Sequence, residues 1–450
     1  WKNVVGFLTE AASVQYATPV YVEPTELGAW GKGLAEYKKS VNMPKPWPGG
    51  WWRLSDIVEY EIVSTMSIVK TAAAHRRDIL RFRNEIARAE TERGRTEPPY
   101  YFLMPHRQRD TGELAGIVEL LEEHGVEVKR LASPVTIGGR QWAAGDIVVP
   151  TAQPFRPFAK EVLEAQAYPL RHYTPGGEII RPYDITSWSL PLHRGVECVR
   201  LDERSPALEA ALEPVPVPVR FAAPLEGEPK GVLLDAGRNE SFRAAFTADA
   251  AGLDVLRLGG AVDAGGKRID AGAFLIESDR GGDRLRDIAG SLAGGAIALD
   301  EDEWDRLAGG ARRVDVPRVA LVETWRHDMD AGWTRYVLDT YGIEYDVLRP
   351  NDIPETDLER RFDAIVIPNS SKSILMKGKR ESEGGYYSSG MPPGYEEGME
   401  AEGLRKLLRF VEEGGLVVSW GRSTGLFMGN LSLDEPEEFA EALRLHSLLV

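Results

Sequence analysis

The feature that most constrains this chain is a phrase that occurs three times. A short apolar run is followed by a stretch of helical length, then a second run after a glycine, then a third run. In the first copy the runs fall at residues 100–104, 126–131 and 146–150, and in the second at 231–235, 253–258 and 273–277. The third copy is the clearest: RVALVE (318–323) leads through a helical stretch at 333–341 to 343–349 and then to FDAIVIP (362–368). Short buried-type runs that alternate with helices predict parallel strands joined by right-handed crossovers, so each copy is expected as a small doubly wound or related α/β layer. After the third copy, 402–413 reads as a helix closed by Gly414 and Gly415, and 416–420 as another buried strand.

The boundaries follow from what interrupts these phrases. PVPVPV (214–219) suits an extended linker or an edge strand, because proline cannot donate to a ladder. Earlier, from Leu54 to about Ala89, apolar residues at Ile57, Val58, Ile62, Met66, Val69 and Ala73 mark a long amphipathic helix with Ser55 or Asp56 as its cap. It ends in ETERGRTEPP, where Gly94 and the Pro98-Pro99 pair stop it. Four segments result: 1–95, 96–213, 214–315 and 316–450. The 450 residues exceed what one core usually serves. The Gly- and Tyr-rich loop at 384–398 is long enough to cover a groove.

Charge and cysteine content narrow the partners. With 54 Lys and Arg against 70 Asp and Glu, a net of -16, the surface repels phosphate backbones, and nucleic acid is not an expected partner. Cys198 is the single cysteine, so neither an internal disulfide nor a Cys-based zinc cluster can form. No apolar run reaches the length of a membrane span. The chain opens at Trp1 beside the apolar VVGFL and closes on the apolar His446–Val450, from which a missing front end and a cut rear are expected.

Chemistry enters with GFLTEAAS (6–13), where an apolar run delivers one carboxylate, Glu10. At the mouth of a core strand a glutamate is rigidly held and partly desolvated, as a general base requires, although a glutamate closing a strand at the surface has the same spacing. GFLTEAAS, then ATPVYV (17–22), then PWPGGWWRLSDIVEYE (46–61) and the long helix resemble, in that order, the end of the catalytic domain in bacterial zinc-dependent carboxypeptidases. The resemblance covers about the first fifth of the chain. It implies an α/β peptidase domain cut short at its front and a peptide substrate. It also implies that Glu10 deprotonates the attacking water and hands a proton to the leaving amine. The zinc ligands of the family, two histidines and a glutamate, precede this glutamate, so the resemblance implies zinc in the whole protein and none of its ligands here. By itself this chain is expected to be inactive. The resemblance also implies export, secreted or periplasmic, in bacteria.

Other residues compete for attention. His124 and Glu127 have His-x-x-Glu spacing but fall at a helix-to-strand turn, and the remaining histidines are scattered singly. Residues 318–423 resemble the class I glutamine amidotransferase-like fold, flavodoxin-like in its layer, with VVSWGRST at the sharp turn that in true amidotransferases bears a cysteine. Trp420 to Ser423 occupy that elbow here, leaving Ser423 as a replacement nucleophile without an evident base. The run from Trp325 to Asp330, followed by Trp333, sits where open α/β sheets bind ligands, with Asp330 as a helix-cap candidate. Trp47, Trp51 and Trp52 read as packing that staples the long helix. If the chain is not part of a peptidase, the next reading is a non-catalytic module that binds a ligand or a protein, and a third is an amidotransferase-like hydrolase in the rear segment acting through Ser423.

Overall fold

The computed structural model describes residues 2–6, 8–14, 17–28, 36–41, 43–167, 169–181, 188–278, 282–326, 328–379, 392 and 394–428. The chain forms two compact units, Trp1–Gly6 with His75–Val316, and Phe7–Ala74 with Pro317–Val450. Both mix helices and strands in an α/β arrangement. Among the described residues no helix is long and apolar enough to cross a membrane.

In the front segment β1 (Val20–Val22) pairs antiparallel with β2 (Gly50–Trp52), and α1 (Leu54–Ala74) follows. The expected single helix is two, because the backbone leaves helical geometry at His75, φ -101° and ψ 17°, before α2 (Arg76–Thr96) begins. Helix α1 buries none of its residues, and Val58, Ile62, Met66 and Val69 of the expected stripe are exposed. Helix α2 packs on the layer that follows it. Glu90 is buried against Arg156, and a Cβ at Gly94 would lie 2.2 Å from the Thr151 carbonyl oxygen, so only glycine allows this approach.

The first copy contains β3 (Tyr101–Met104), α3 (Thr111–Glu123), β4 (Lys129–Leu131), β5 (Val135–Ile137), β6 (Arg140–Trp142) and β7 (Ile147–Pro150). It continues with α4 (Arg156–Leu163), α5 (Leu190–Arg194), β8 (Val199–Leu201), α6 (Pro206–Ala210) and β9 (Leu212–Pro214). The five-stranded order is β8-β3-β7-β4-β9, and every pair is antiparallel. The second copy runs β10 (Gly231–Leu234), α7 (Asn239–Ala250), β11 (Val255–Leu258), β12 (Val262–Ala264), β13 (Lys267–Ile269) and β14 (Phe274–Glu277). After these come α8 (Asp283–Gly290), β15 (Ile297–Leu299), α9 (Glu301–Ala308) and β16 (Ala311–Arg313). Its order, β15-β10-β14-β11-β16, is the same topology strand for strand, again antiparallel.

The parallel layers expected for these two copies are therefore corrected to antiparallel ones. No crossover helix joins β4 to β7 or β11 to β14; a β-hairpin stands in each gap, β5 with β6 and β12 with β13, and parallel neighbours need a longer crossover. The hairpins also explain why the strands read as continuous apolar runs. Phe102 and Met104 face a core lined by α3 and α4, while Tyr101 and Leu103 face a second core made by Val135, Ile137, Trp142 and Leu208. Both sides of the sheet are covered, so no polar alternation survives. Val232 and Leu234 against Leu233 repeat the arrangement, with Ala264, Ile269 and Trp304 covering the second face. Burying each such side chain contributes roughly 1.5–3 kcal/mol of transfer free energy.

Pro214 ends the edge strand β9, and beyond it Val215 and Val219 insert into the first core while Val217 is exposed. The third copy keeps its expected pairing. Strands β17 (Val319–Val322), β18 (Tyr345–Leu348), β19 (Ala364–Ile367) and β20 (Leu416–Ser419) lie in the order β18-β17-β19-β20, all parallel. Helices α10 (Met329–Tyr341), α11 (Leu358–Arg361), α12 (Lys372–Lys377) and α13 (Glu400–Glu412) connect them.

Candidate functional site

Glu10 does not sit at the mouth of a strand. Residues 8–14 form no regular element, Val4, Val5 and Leu8 are 71%, 56% and 83% exposed, and the Glu10 carboxylate is exposed as well. The partial desolvation expected for it is absent, because no neighbouring element among the described residues covers the segment. Glu10 makes no hydrogen bond or ion pair among the described residues, so its carboxylate is not spent on a structural bridge. Two residues on, the Ala12 carbonyl accepts the Trp52 indole N–H at 3.1 Å, which ties this segment to β2. Trp52 in turn meets Trp47 and the Tyr60 ring of α1 edge-on or tilted, at 5.7 and 5.6 Å between centroids. The tryptophan cluster thus does hold the start of the helix, as packing requires.

No group of three or more His, Cys, Asp or Glu side chains among the described residues is arranged to hold a metal ion. His124 is the C-cap of α3, with its Nδ1 2.9 Å from Lys2 Nζ and its ring against Phe158, while Glu127 is exposed, exchanges backbone hydrogen bonds with the Gln153 side chain and turns its carboxylate toward Lys129 at 3.9 Å. The turn reading of this pair stands. Cys198 packs against the first core, and burial pushes its thiol up to about 12, which removes thiolate chemistry near neutral pH.

The carboxyl ends of the parallel strands gather more polar chemistry. After β17, Asp328 caps α10 by accepting the Ala331 N–H at 3.1 Å. The cap expected of Asp330 belongs to Asp328, and Asp330 instead accepts the side-chain amide of Asn369 at 3.1 Å. Asn369 follows β19, and its other amide atom, Oδ1, accepts the Arg422 backbone N–H at 3.0 Å. One asparagine therefore links the loops after three strands. Trp325 stacks under the Arg349 guanidinium at 4.1 Å and meets Tyr395 at 4.7 Å, while Arg326 is buried and donates to the Gly378 carbonyl. Trp333 is 68% exposed.

Ser423 is fully buried, with its hydroxyl 2.7 Å from the Trp420 carbonyl and 3.0 Å from that of Ile367. These carbonyls occupy the hydroxyl as a donor, so Ser423 braces the turn after β20 and is not presented as a nucleophile. His327, His446 and most of the loop at 384–398 lie outside the described residues. Asn369 and Lys372 escaped the sequence reading. The available signal was PNSSK directly after the buried run of β19, since polar residues at the carboxyl end of a central parallel strand face the crevice where ligands bind.

Compared with protein families, with curated proteins and with solved structures, the chain matches none.

Proposed function

We propose that this chain is the rear portion of a bacterial zinc-dependent carboxypeptidase that hydrolyses C-terminal peptide bonds, with Glu10 as its general base and acid. The ordered phrases from Gly6 to Glu61 carry the reading. Among the described residues the Glu10 carboxylate makes no hydrogen bond or ion pair, which leaves it free to reach a substrate water, without the desolvation expected of a base. In the family that the phrases resemble the zinc ligands precede the general base, so on this reading they belong to polypeptide outside the chain. Glu10 would take a proton from the attacking water and return it to the leaving amine. Export from a bacterial cell, secreted or periplasmic, belongs to the same proposal, as does a flavodoxin-like, amidotransferase-like last layer without its nucleophilic cysteine. The four parallel strands in the order β18-β17-β19-β20 support that last point.

The test is a polypeptide extended by the coding sequence upstream of Trp1, assayed for bound zinc and for release of the last residue of a peptide. Glu10→Gln should lower kcat by about 10²- to 10⁴-fold with zinc content unchanged. Undiminished cleavage by that variant would refute the assignment.

A second reading, a non-catalytic binding module, is favoured for the last layer by one observation. Its turn serine is committed to carbonyls, while beside it Lys372 and the terminal guanidinium nitrogens of Arg422 have no partner among the described residues.

A further inference from the structure

At the carboxyl ends of β19 and β20 lies a cleft of about 360 Å³. Lys372 and Arg422 line it together with the hydroxyl-bearing Ser371, Ser373 and Thr424, and no carboxylate among the described residues does. In a chain with 70 acidic residues against 54 basic ones, two cations lining one depression without a counter-charge among the described residues run against the background. Lys372 has no ion-pair partner among the described residues. Arg422 is turned only toward Asn369, whose Oδ1 lies 3.0 Å from its backbone nitrogen and 3.4 Å from its Nε, leaving both terminal guanidinium nitrogens unengaged among the described residues. Asn369 is itself held by Asp330, so the backbone that carries the guanidinium is anchored from the neighbouring strand.

We propose that this cleft binds a small organic phosphate monoester. Two full positive charges match the -1.5 to -2 of a phosphate monoester near neutral pH better than the single charge of a carboxylate. Thr424 donates its hydroxyl to the Gly421 carbonyl at 2.7 Å, and Ser371 and Ser373 share one hydrogen bond at 3.2 Å, which leaves one serine O–H as a further donor to its oxygens; a guanidinium engages phosphate through two nitrogens at once. The depression is open to solvent and wider than a bare phosphate fills, which leaves room for an organic part. Gly425 and Met428 leave an apolar wall for the organic part. The position, outside the carboxyl ends of adjacent parallel strands, is where open α/β sheets receive ligands.

The proposal is independent of the peptidase reading and is tested on the chain as it stands, without zinc. Calorimetric titration with phenyl phosphate, inorganic phosphate and benzoate should give saturable binding of phenyl phosphate, weaker binding of inorganic phosphate, and the weakest of benzoate. Arg422→Gln and Lys372→Gln should each weaken phenyl phosphate by about tenfold or more, the loss expected for one charge-assisted contact. Arg405→Gln, an exposed cation of α13 in the same layer, should leave it unchanged. Near-ultraviolet circular dichroism confirms that each variant is folded. Absence of saturable binding at millimolar phenyl phosphate overturns the proposal, as does benzoate binding equally well or affinity indifferent to both cation substitutions.

Discussion

Asp110 joins the two duplicated layers through Asn239: one carboxylate oxygen accepts the Asn239 backbone N–H at 2.7 Å, and the other accepts the Glu113 N–H at 3.1 Å. Glu113 lies in the first turn of α3 and Asn239 in that of α7, so a single aspartate serves two helix N-termini, each with unsatisfied N–H groups and a partial positive charge. The junction is reinforced by the Asn239 side chain donating to Glu113 at 2.9 Å, while the next residue, Glu240, braces its own layer by accepting the N–H groups of Ala293 and Gly294. Losing one cap costs about 0.5–2 kcal/mol, so Asp110→Ala should lower stability by roughly 2–3 kcal/mol. Ser205→Ala, which removes only the cap of α6, is the reference and should cost about 1 kcal/mol. Urea unfolding of both variants decides it, and equal losses would mean that Asp110 caps one helix in effect.

Helix α2 is held by a buried charge. Glu90 and Arg156 side chains are 7% and 9% exposed, 3.3 Å apart, and the guanidinium also reaches the Pro98 carbonyl at 3.2 Å. Removing one member of such a pair strands the other, at a cost of about 3–5 kcal/mol. Arg93, at 2.7 Å from the other Glu90 oxygen, is 56% exposed and offsets only part of this. Arg156→Met should therefore be severely destabilising, and adding Glu90→Gln to it should recover stability instead of losing more. A double-mutant cycle in denaturant with strictly additive losses would show that the pair is not coupled.

How much of this was legible from the residues divides by physics. The central strands of all three copies were readable, because runs such as YFLM and GVLL are buried on both faces and carry the apolar signal undiluted, whereas the short outer strands β8, β9, β15 and β16 and the hairpin strands were not. The direction of the central strands was not readable either, since a run covered on both sides looks the same in a parallel sheet and in an antiparallel sheet shielded by a hairpin. The neglected signal was the dipeptide Gly138-Gly139, repeated at Gly265-Gly266, between alternating residues, the mark of a two-residue hairpin. The third copy lacks it and is parallel. The candidate site was less legible: Glu10 was conspicuous in the chain but stands exposed, while Asn369 acts through contacts with loops distant in sequence that no local pattern announces.

Asp363 provides a pH signature for the parallel layer. Its carboxylate accepts from the Arg318 side chain at 3.0 and 2.8 Å and from the Arg318 backbone N–H at 2.8 Å, and this guanidinium holds it down at about 2. An unfolded aspartate titrates near 3.9. The folded state therefore binds the proton less readily than the unfolded one, so the contribution is fully present above about pH 4 and is lost as pH falls toward 2. Both side chains are about half exposed, and solvent keeps the gain modest. The stability gap between the parent and Asp363→Asn should be constant from pH 7 to about 5, shrink below 4 and close near 2. A gap that widens on acidification would contradict the assignment of the shift to Arg318.

The hairpin turns allow a ranked test in duplicate. Gly138 and Gly139 have φ of +62° and +71°, and Gly265 and Gly266 have +58° and +72°, the left-handed values at both turn positions that let two residues reverse a twisted strand pair. A Cβ at Gly139 or Gly266 would meet no atom within 4 Å, so alanine there incurs only the left-handed backbone cost, about 1 kcal/mol. At Gly138 a Cβ would come 2.9 Å from a methyl of the buried Leu201, and at Gly265 3.1 Å from Ile297, adding a packing cost to the backbone one. Asparagine tolerates the left-handed region better than alanine. The expected order of stability is therefore Gly139→Asn above Gly139→Ala above Gly138→Ala, and the same order at Gly266 and Gly265. Thermal unfolding of the six variants measures it, and alanine at Gly138 matching alanine at Gly139 would show that Leu201 yields without cost and that the turn geometry alone sets the penalty.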